Sequence, residues 1–148
     1  MIDPEMIVRE ARKLIGTPFV HQGRAPGAGI DCGGLVVVVA KVCGYDWRDV
    51  PPYSGQPESV DTEAALAEFC DEIHVDAAEP GDVVTFLGSN YGSKKATHMA
   101  ILSDRGMIHA WDTARRTIEH AVTKGWQARI HKAFRMREHG DNRSSRSG

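Results

Sequence analysis

Gly29-Ile30-Asp31-Cys32-Gly33-Gly34-Leu35-Val36-Val37-Val38-Val39-Ala40 is the stretch on which the reading of this chain turns. A carboxylate and a thiol stand just before an apolar run, Leu35 to Ala40. Propensity alone favours a buried strand there, because β-branched side chains lose rotamer freedom in a helix. If the run is helical instead, Cys32 sits at the helix N-terminus, where unpaired N–H groups and the helix dipole favour a thiolate. The flanking glycines would let a substrate backbone approach the sulfur. A free cysteine is otherwise most often a small buried hydrophobe. The local pattern leaves both choices open.

Upstream, Asp3-Pro4 reads as an N-cap followed by proline in the first turn. Ile7, Ala11, Leu14 and Ile15 then follow helical spacing, which predicts an amphipathic helix over residues 4–15. Gly16-Thr17-Pro18 stops it, and the glycines and proline of residues 22–30 predict a loop. Downstream, Pro51, Pro52, Gly55 and Pro57 mark residues 44–58 as loop. Asp61 can cap a helix with Leu66, Phe69, Cys70 and Ile73 on one side. Pro80-Gly81 turns the chain into a strand, Asp82 to Leu87, and residues 88–96 form a further loop. Three short β-like runs follow: His98 to Ser103, Met107 to Trp111 and Thr117 to Val122. Asp104-Arg105-Gly106 joins the first two as a tight hairpin, and Arg129 to Arg135 can add a last strand. Helices first and an antiparallel meander afterwards indicate an α+β fold.

The 148 residues suit one domain, and 41% apolar with 26% charged residues is an ordinary globular balance. No run approaches the roughly 20 apolar residues of a membrane span. The first residues carry neither the basic nor the apolar region of a signal peptide, so synthesis in the cytoplasm without Sec export is expected. Cys32, Cys43 and Cys70 form no CxxC pair, which speaks against a disulfide framework or a zinc finger. Charge is uneven: residues 1–128 hold 12 basic and 18 acidic side chains, residues 129–148 hold 6 and 2. The basic end reads as a solvated tail over residues 136–148, not as a nucleic-acid surface.

His98 and His109 fall on the two strands of the predicted hairpin. Taking the turn at 104–106, position 98 is expected opposite 112 and position 101 opposite 109. The two imidazoles then become neighbours only if register or twist allows. Together with Cys32 they suit a nucleophile, a base and a group that orients the base. A zinc site from the same residues is weakly indicated by such long spacings, and no metal or cofactor is expected. His120 alternates with Ile118 and is expected to face solvent; His74, His131 and His139 are uninformative. His21 differs, because it precedes the glycine loop that leads to Cys32.

Taken in order, four segments resemble the NlpC/P60 cysteine peptidases. They are Gly16-Thr17-Pro18-Phe19-Val20-His21-Gln22-Gly23 with Gly29 to Leu35, then Pro80-Gly81-Asp82-Val83-Val84-Thr85-Phe86, His98-Met99-Ala100-Ile101-Leu102, and Met107-Ile108-His109-Ala110. The resemblance implies a papain-like α+β fold over residues 1–135, with N-terminal helices packed on a central antiparallel sheet. It makes residues 32–43 a helix. It implies Cys32 as nucleophile, His98 as general base and His109 as the orienting third member. The implied substrate is the peptidoglycan stem peptide, cut between D-γ-glutamyl and a diamino acid. Pro18 to Gln22 and Arg129 to Arg135 look most like the phage-encoded branch found among tail genes. That implies tail-tip or baseplate partners and a site of action on the virion tail at the cell wall.

Two positions depart from the family pattern. Phe19 stands where a tyrosine often helps polarise the scissile carbonyl, so His21 and backbone N–H groups become candidates for the oxyanion. Gly33 stands where a serine often helps bind a free amine, which favours wall-attached peptides; Asp31 joins these residues as a candidate substrate contact. Two other functions compete: a structural tail-tip component of the same fold with little activity, and a thiol amidase or acyltransferase.

Overall fold

The computed structural model describes residues 3–45, 61–88 and 94–137. The first helix, α1 (Pro4–Arg12), starts where the Asp3 carboxylate accepts the Glu5 N–H at 2.9 Å, and it buries Ile7, Val8 and Ala11. It is shorter than its periodicity predicts. Leu14 N–H bonds back to Ala11 O, tightening the chain into turns that end at Gly16, whose φ is +92°. A small hairpin of β1 (Arg24–Ala25) and β2 (Gly29–Ile30) then leads directly into α2 (Cys32–Val42).

The valine run is therefore helical, against its propensity. Asp31 supplies the cap, and Leu35, Val36, Val37, Val39 and Ala40 are all buried. A helix enclosed on nearly every side is chosen by burial, and a modest propensity cost does not outweigh that.

Asp61 caps α3 (Thr62–Phe69) by accepting the Ala64 N–H at 3.0 Å. Cys70 and Ile73 do not continue that helix. Cys70 is already extended, and Cys70–Ile73 form β3, paired with the last strand. The remaining elements are β4 (Val83–Leu87), β5 (Ala96–Ser103), β6 (Gly106–Trp111), β7 (Arg116–His120), the one-turn helix α4 (Lys124–Gln127) and β8 (Ile130–Met136). They build one antiparallel sheet in the order β3-β8-β4-β5-β6-β7. The meander β4 to β7 is as expected, while β8 returns to the far side of β4.

One sheet face carries Val83, Met99, Ile101, Ile108, Ala110 and Phe134 and packs against α1 and α2. The other gathers Val84, Phe86, Ala100, Met107 and Ala133 under Trp126 and Ile130. Gly81 makes the turn into β4 with φ +97°, and a Cβ there would stand 3.0 Å from that of Pro4. Both facts require glycine. Asp82 beside it is buried and holds Arg135 of β8 and the Glu79 N–H. No helix among the described residues is long and apolar enough to cross a membrane. Most of the loop expected at 44–58, and residues 138–148 of the basic tail, lie outside the described residues.

Candidate active site

Cys32 is the first residue of α2, and its thiol lies against the backbone N–H groups of Met99 and Gly33. Met99 directly follows His98 in β5, so the helix start is held beside the histidine strand. Asp31 sets this geometry. One carboxylate oxygen accepts the Gly34 N–H at 2.8 Å and the Arg24 guanidinium at 2.7 Å; the other accepts the Gln22 N–H at 2.9 Å. Asp31 is only 3% exposed. Asp31, expected as a candidate substrate contact, is placed as a buried strut at the start of α2. Gly34 is needed for close approach, because a Cβ there would meet the Gly23 carbonyl oxygen at 2.2 Å. Gly33 is different: its Cβ would have only ordinary contacts, at 3.7 Å and beyond. Phe19 is half-buried against the core, bridging to Ile30, and His21 is exposed.

The hairpin register is one residue away from expectation. Ile101 faces Ile108 and Ser103 faces Gly106, with Asp104-Arg105 as the turn. A one-residue change moves every side chain of one strand to the opposite face. With the expected pairing His98 and His109 would lie on opposite faces. With the observed pairing they share a face, and His98 Nε2 lies 2.7 Å from His109 Nδ1. β7 extends the series. His109 Nε2 is 2.8 Å from His120 Nε2, and His120 Nδ1 is 2.8 Å from the Ala121 carbonyl oxygen. His120 therefore joins the site and is not merely solvent-facing, as its alternation with Ile118 suggested. A signal for it was present: residues 98, 109 and 120 are evenly spaced, so consecutive strands carry them at comparable heights.

Trp126 of α4 roofs the three rings. Its ring centre is 5.6 Å from that of His98, 5.1 Å from His109 and 6.2 Å from His120. The Arg129 guanidinium lies 4.7 Å over the same indole. No local pattern in the sequence marked Trp126 or Arg24.

Burial governs protonation here. It pushes the Cys32 thiol up to about 11, helped by the Asp31 charge and opposed by the Met99 and Gly33 N–H groups and by Arg24. Burial likewise pushes His98 down to about 3, with the Arg129 cation adding to it. His109 falls to about 3 through burial, then through His98 and His120. Burial thus holds the Cys32 thiol and the His98 and His109 imidazoles neutral at rest. The thiolate expected from the helix N-terminus alone is outweighed by desolvation. Such a pair can transfer a proton from sulfur to imidazole as an acyl group arrives. Among the described residues, no group of three or more His, Cys, Asp or Glu is placed to hold a metal ion.

The model of the NlpC/P60 family matches residues 16–135 of the chain. The chain belongs to the NlpC/P60 family. The chain is 30% identical over 125 residues to the gamma-DL-glutamyl hydrolase of Bacillus subtilis, an alignment covering 84% of this chain but 27% of that protein. It therefore spans about a quarter of that relative's length. The solved NlpC/p60 domain of the peptidoglycan hydrolase SagA is 33% identical, with 91% of this chain and all of that domain covered and a TM-score of 0.59. A lipoprotein-like NLP/P60 protein from Staphylococcus aureus gives 25% identity and a TM-score of 0.65 over 90% of this chain and 41% of its own. An NlpC/P60 protein from Bacillus cereus, 19% identical with a TM-score of 0.70, shares the fold over 90% of this chain and 40% of its own. The α+β papain-like architecture implied by the sequence motifs is the one these NlpC/P60 structures share.

Proposed function

We propose that this NlpC/P60 domain is a cysteine peptidase that hydrolyses peptidoglycan stem peptides at the D-γ-glutamyl–diamino acid bond. The observation that carries the reading is the joint placement of Cys32 beside the His98 strand and of His98 on His109. The names of the gamma-DL-glutamyl hydrolase and of SagA support the bond and the polymer.

In the proposed reaction the Cys32 S–H proton passes to His98 as sulfur bonds to the scissile carbonyl carbon. The tetrahedral intermediate collapses, the C–N bond breaks, and His98 returns the proton to the leaving amine. Water then adds to the thioester, giving one proton to His98, which restores the thiol as the acid product leaves. Phe19 has no hydroxyl to offer the oxyanion, so the Cys32 N–H at the start of α2 and exposed His21 are the candidate donors. Digestion of purified muropeptides, followed by mass spectrometry, tests this. The wild-type domain should release products cut after D-γ-glutamyl, and Cys32→Ala should release none; cleavage by the alanine variant would overturn the assignment of Cys32.

We further propose that the enzyme acts from a phage tail, with tail-tip or baseplate proteins as partners. The likeness of Pro18 to Gln22 and of Arg129 to Arg135 to the phage-encoded branch supports this. A tethered hydrolase needs little affinity of its own for the wall, because attachment raises its local concentration. Mass spectrometry of purified particles and tail intermediates decides it, and absence from both would end the tail reading. The second reading, a tail-tip component with little activity, is favoured by Phe19 and Gly33, and the muropeptide digestion separates it from the first.

A further inference from the structure

We propose that His120 is a positioning residue that fixes which nitrogen of His98 is free to take the thiol proton. The inference deepens the peptidase reading and rests on it for its catalytic meaning. It starts from the far end of the relay. A carbonyl oxygen can only accept, so the 2.8 Å contact with Ala121 O requires the hydrogen of His120 to be on Nδ1. In a neutral ring Nε2 then holds a lone pair, and it accepts from His109 Nε2–H at 2.8 Å. His109 is left with a bare Nδ1, which accepts from His98 Nε2–H at 2.7 Å. His98 is left with a bare Nδ1. In an imidazole that nitrogen is the one nearer its own main chain, and the main chain following His98 is where the Met99 N–H meets the Cys32 thiol. One backbone carbonyl thus orders three tautomers in turn and leaves the His98 lone pair on Nδ1.

The direction of the chain is reversible in principle. A protonated His120 has two N–H groups and no lone pair. His109 Nε2 would then have to accept, its Nδ1–H would donate to His98 Nε2, and His98 would hold its hydrogen on Nδ1. The base would be blocked without any change of fold. The groups that meet the His120 ring are His109 from β6, the Trp126 indole from α4 and the Ala121 carbonyl. The nearby charges are Arg129, stacked on Trp126, and Glu119, which is engaged by Arg12 and Ser103.

The experiment uses the full chain with nitrogen-15 histidine and three forms: wild type, His120→Gln and His120→Lys. Imidazole nitrogen spectra of the wild type should show His98 protonated on Nε2 and bare on Nδ1. Gln offers an acceptor that does not titrate, so it should keep that pattern and keep kcat within about threefold, since an amide accepts in place of the imidazole. Lys offers only donors and should move the His98 hydrogen to Nδ1, with kcat falling by about 10² to 10⁴, the scale of a base held in the wrong tautomer. The proposal is overturned if wild-type His98 carries its hydrogen on Nδ1, or if a folded Lys variant keeps wild-type kcat. If the Lys variant does not fold, the imidazole spectra of the wild type and of the Gln variant decide. If the tautomers are as described but no form cleaves muropeptides, the ordering by His120 stands and the peptidase reading falls.

Discussion

The two halves of the site are held by opposite kinds of chemistry. On the thiol side, α2 and the glycine loop are fixed by charge: Asp31 is buried, paired with Arg24 and bonded to two backbone N–H groups. On the imidazole side the links run between rings and not between charges. His98, His109 and His120 are joined ring to ring under Trp126, and burial holds the first two neutral. A buried ion pair sets position firmly and is costly to break. A neutral hydrogen-bond chain sets proton direction instead, and it has to stay neutral to do so. The halves should therefore fail differently, the first by loss of structure and the second by loss of chemistry in an intact fold.

The largest effect should come from the imidazole side and leave stability nearly untouched. His98→Gln removes the base and should lower kcat by about 10³-fold or more, roughly 4 kcal/mol of barrier. His109→Gln keeps a hydrogen-bonding partner for His98 and should retain measurable activity. Steady-state cleavage of muropeptides by both variants checks this, and equal losses would mean that His109 takes part in proton transfer directly.

On the thiol side, Asp31→Ala removes a cap and leaves Arg24 without its carboxylate. A lost N-cap costs about 1 kcal/mol and a broken buried pair more, so a loss of about 3 kcal/mol is expected. Thermal unfolding should show Tm lower by roughly 6–12 °C. An unchanged Tm with lost activity would remove the contrast between the halves.

The neutral side should also make the fold sensitive to acid. His98 and His109 protonate near 6.5 when unfolded but only near 3 when folded. Between those values the unfolded chain binds more protons, so stability is complete above about pH 6.5 and is lost as pH falls toward 3. The slope is about 1.4 kcal/mol per pH unit for each histidine. Urea unfolding from pH 7 to 4 should show it, and the slope should be shallower in His98→Gln.

Gly33→Ser should have the smallest effect on the fold, below about 0.5 kcal/mol, because its Cβ meets only ordinary contacts. The hydroxyl would stand near Asp31 and Arg24. If the glycine favours wall-attached peptides, the serine should lower KM for muropeptides with a free N-terminal amine and leave kcat unchanged. Comparing free and blocked muropeptides measures it.

Much of this molecule could be read directly from its residues. Asp3 and Asp61 announce two helix starts, since a short carboxylate bonds to the N–H groups just after it. The strands β4 to β7 and the Asp104-Arg105 turn follow from alternation and turn chemistry, both of which are local. The motif around Cys32 and the order of the histidine strands were sufficient to imply the family. Tertiary structure decided what local chemistry left open. Burial on nearly every side made a helix of a valine run whose propensity is for strand. Pairing with β8 took Cys70 and Ile73 out of a helix. A register difference of one residue brought His98 onto the face of His109, and the next strand brought His120 to both. Side-chain period in a strand is two, so no pattern within one strand can show which face meets a neighbour; only the cross-strand pairing does. Desolvation, which likewise exists only once the chain has closed around the site, made the thiol and the imidazoles neutral.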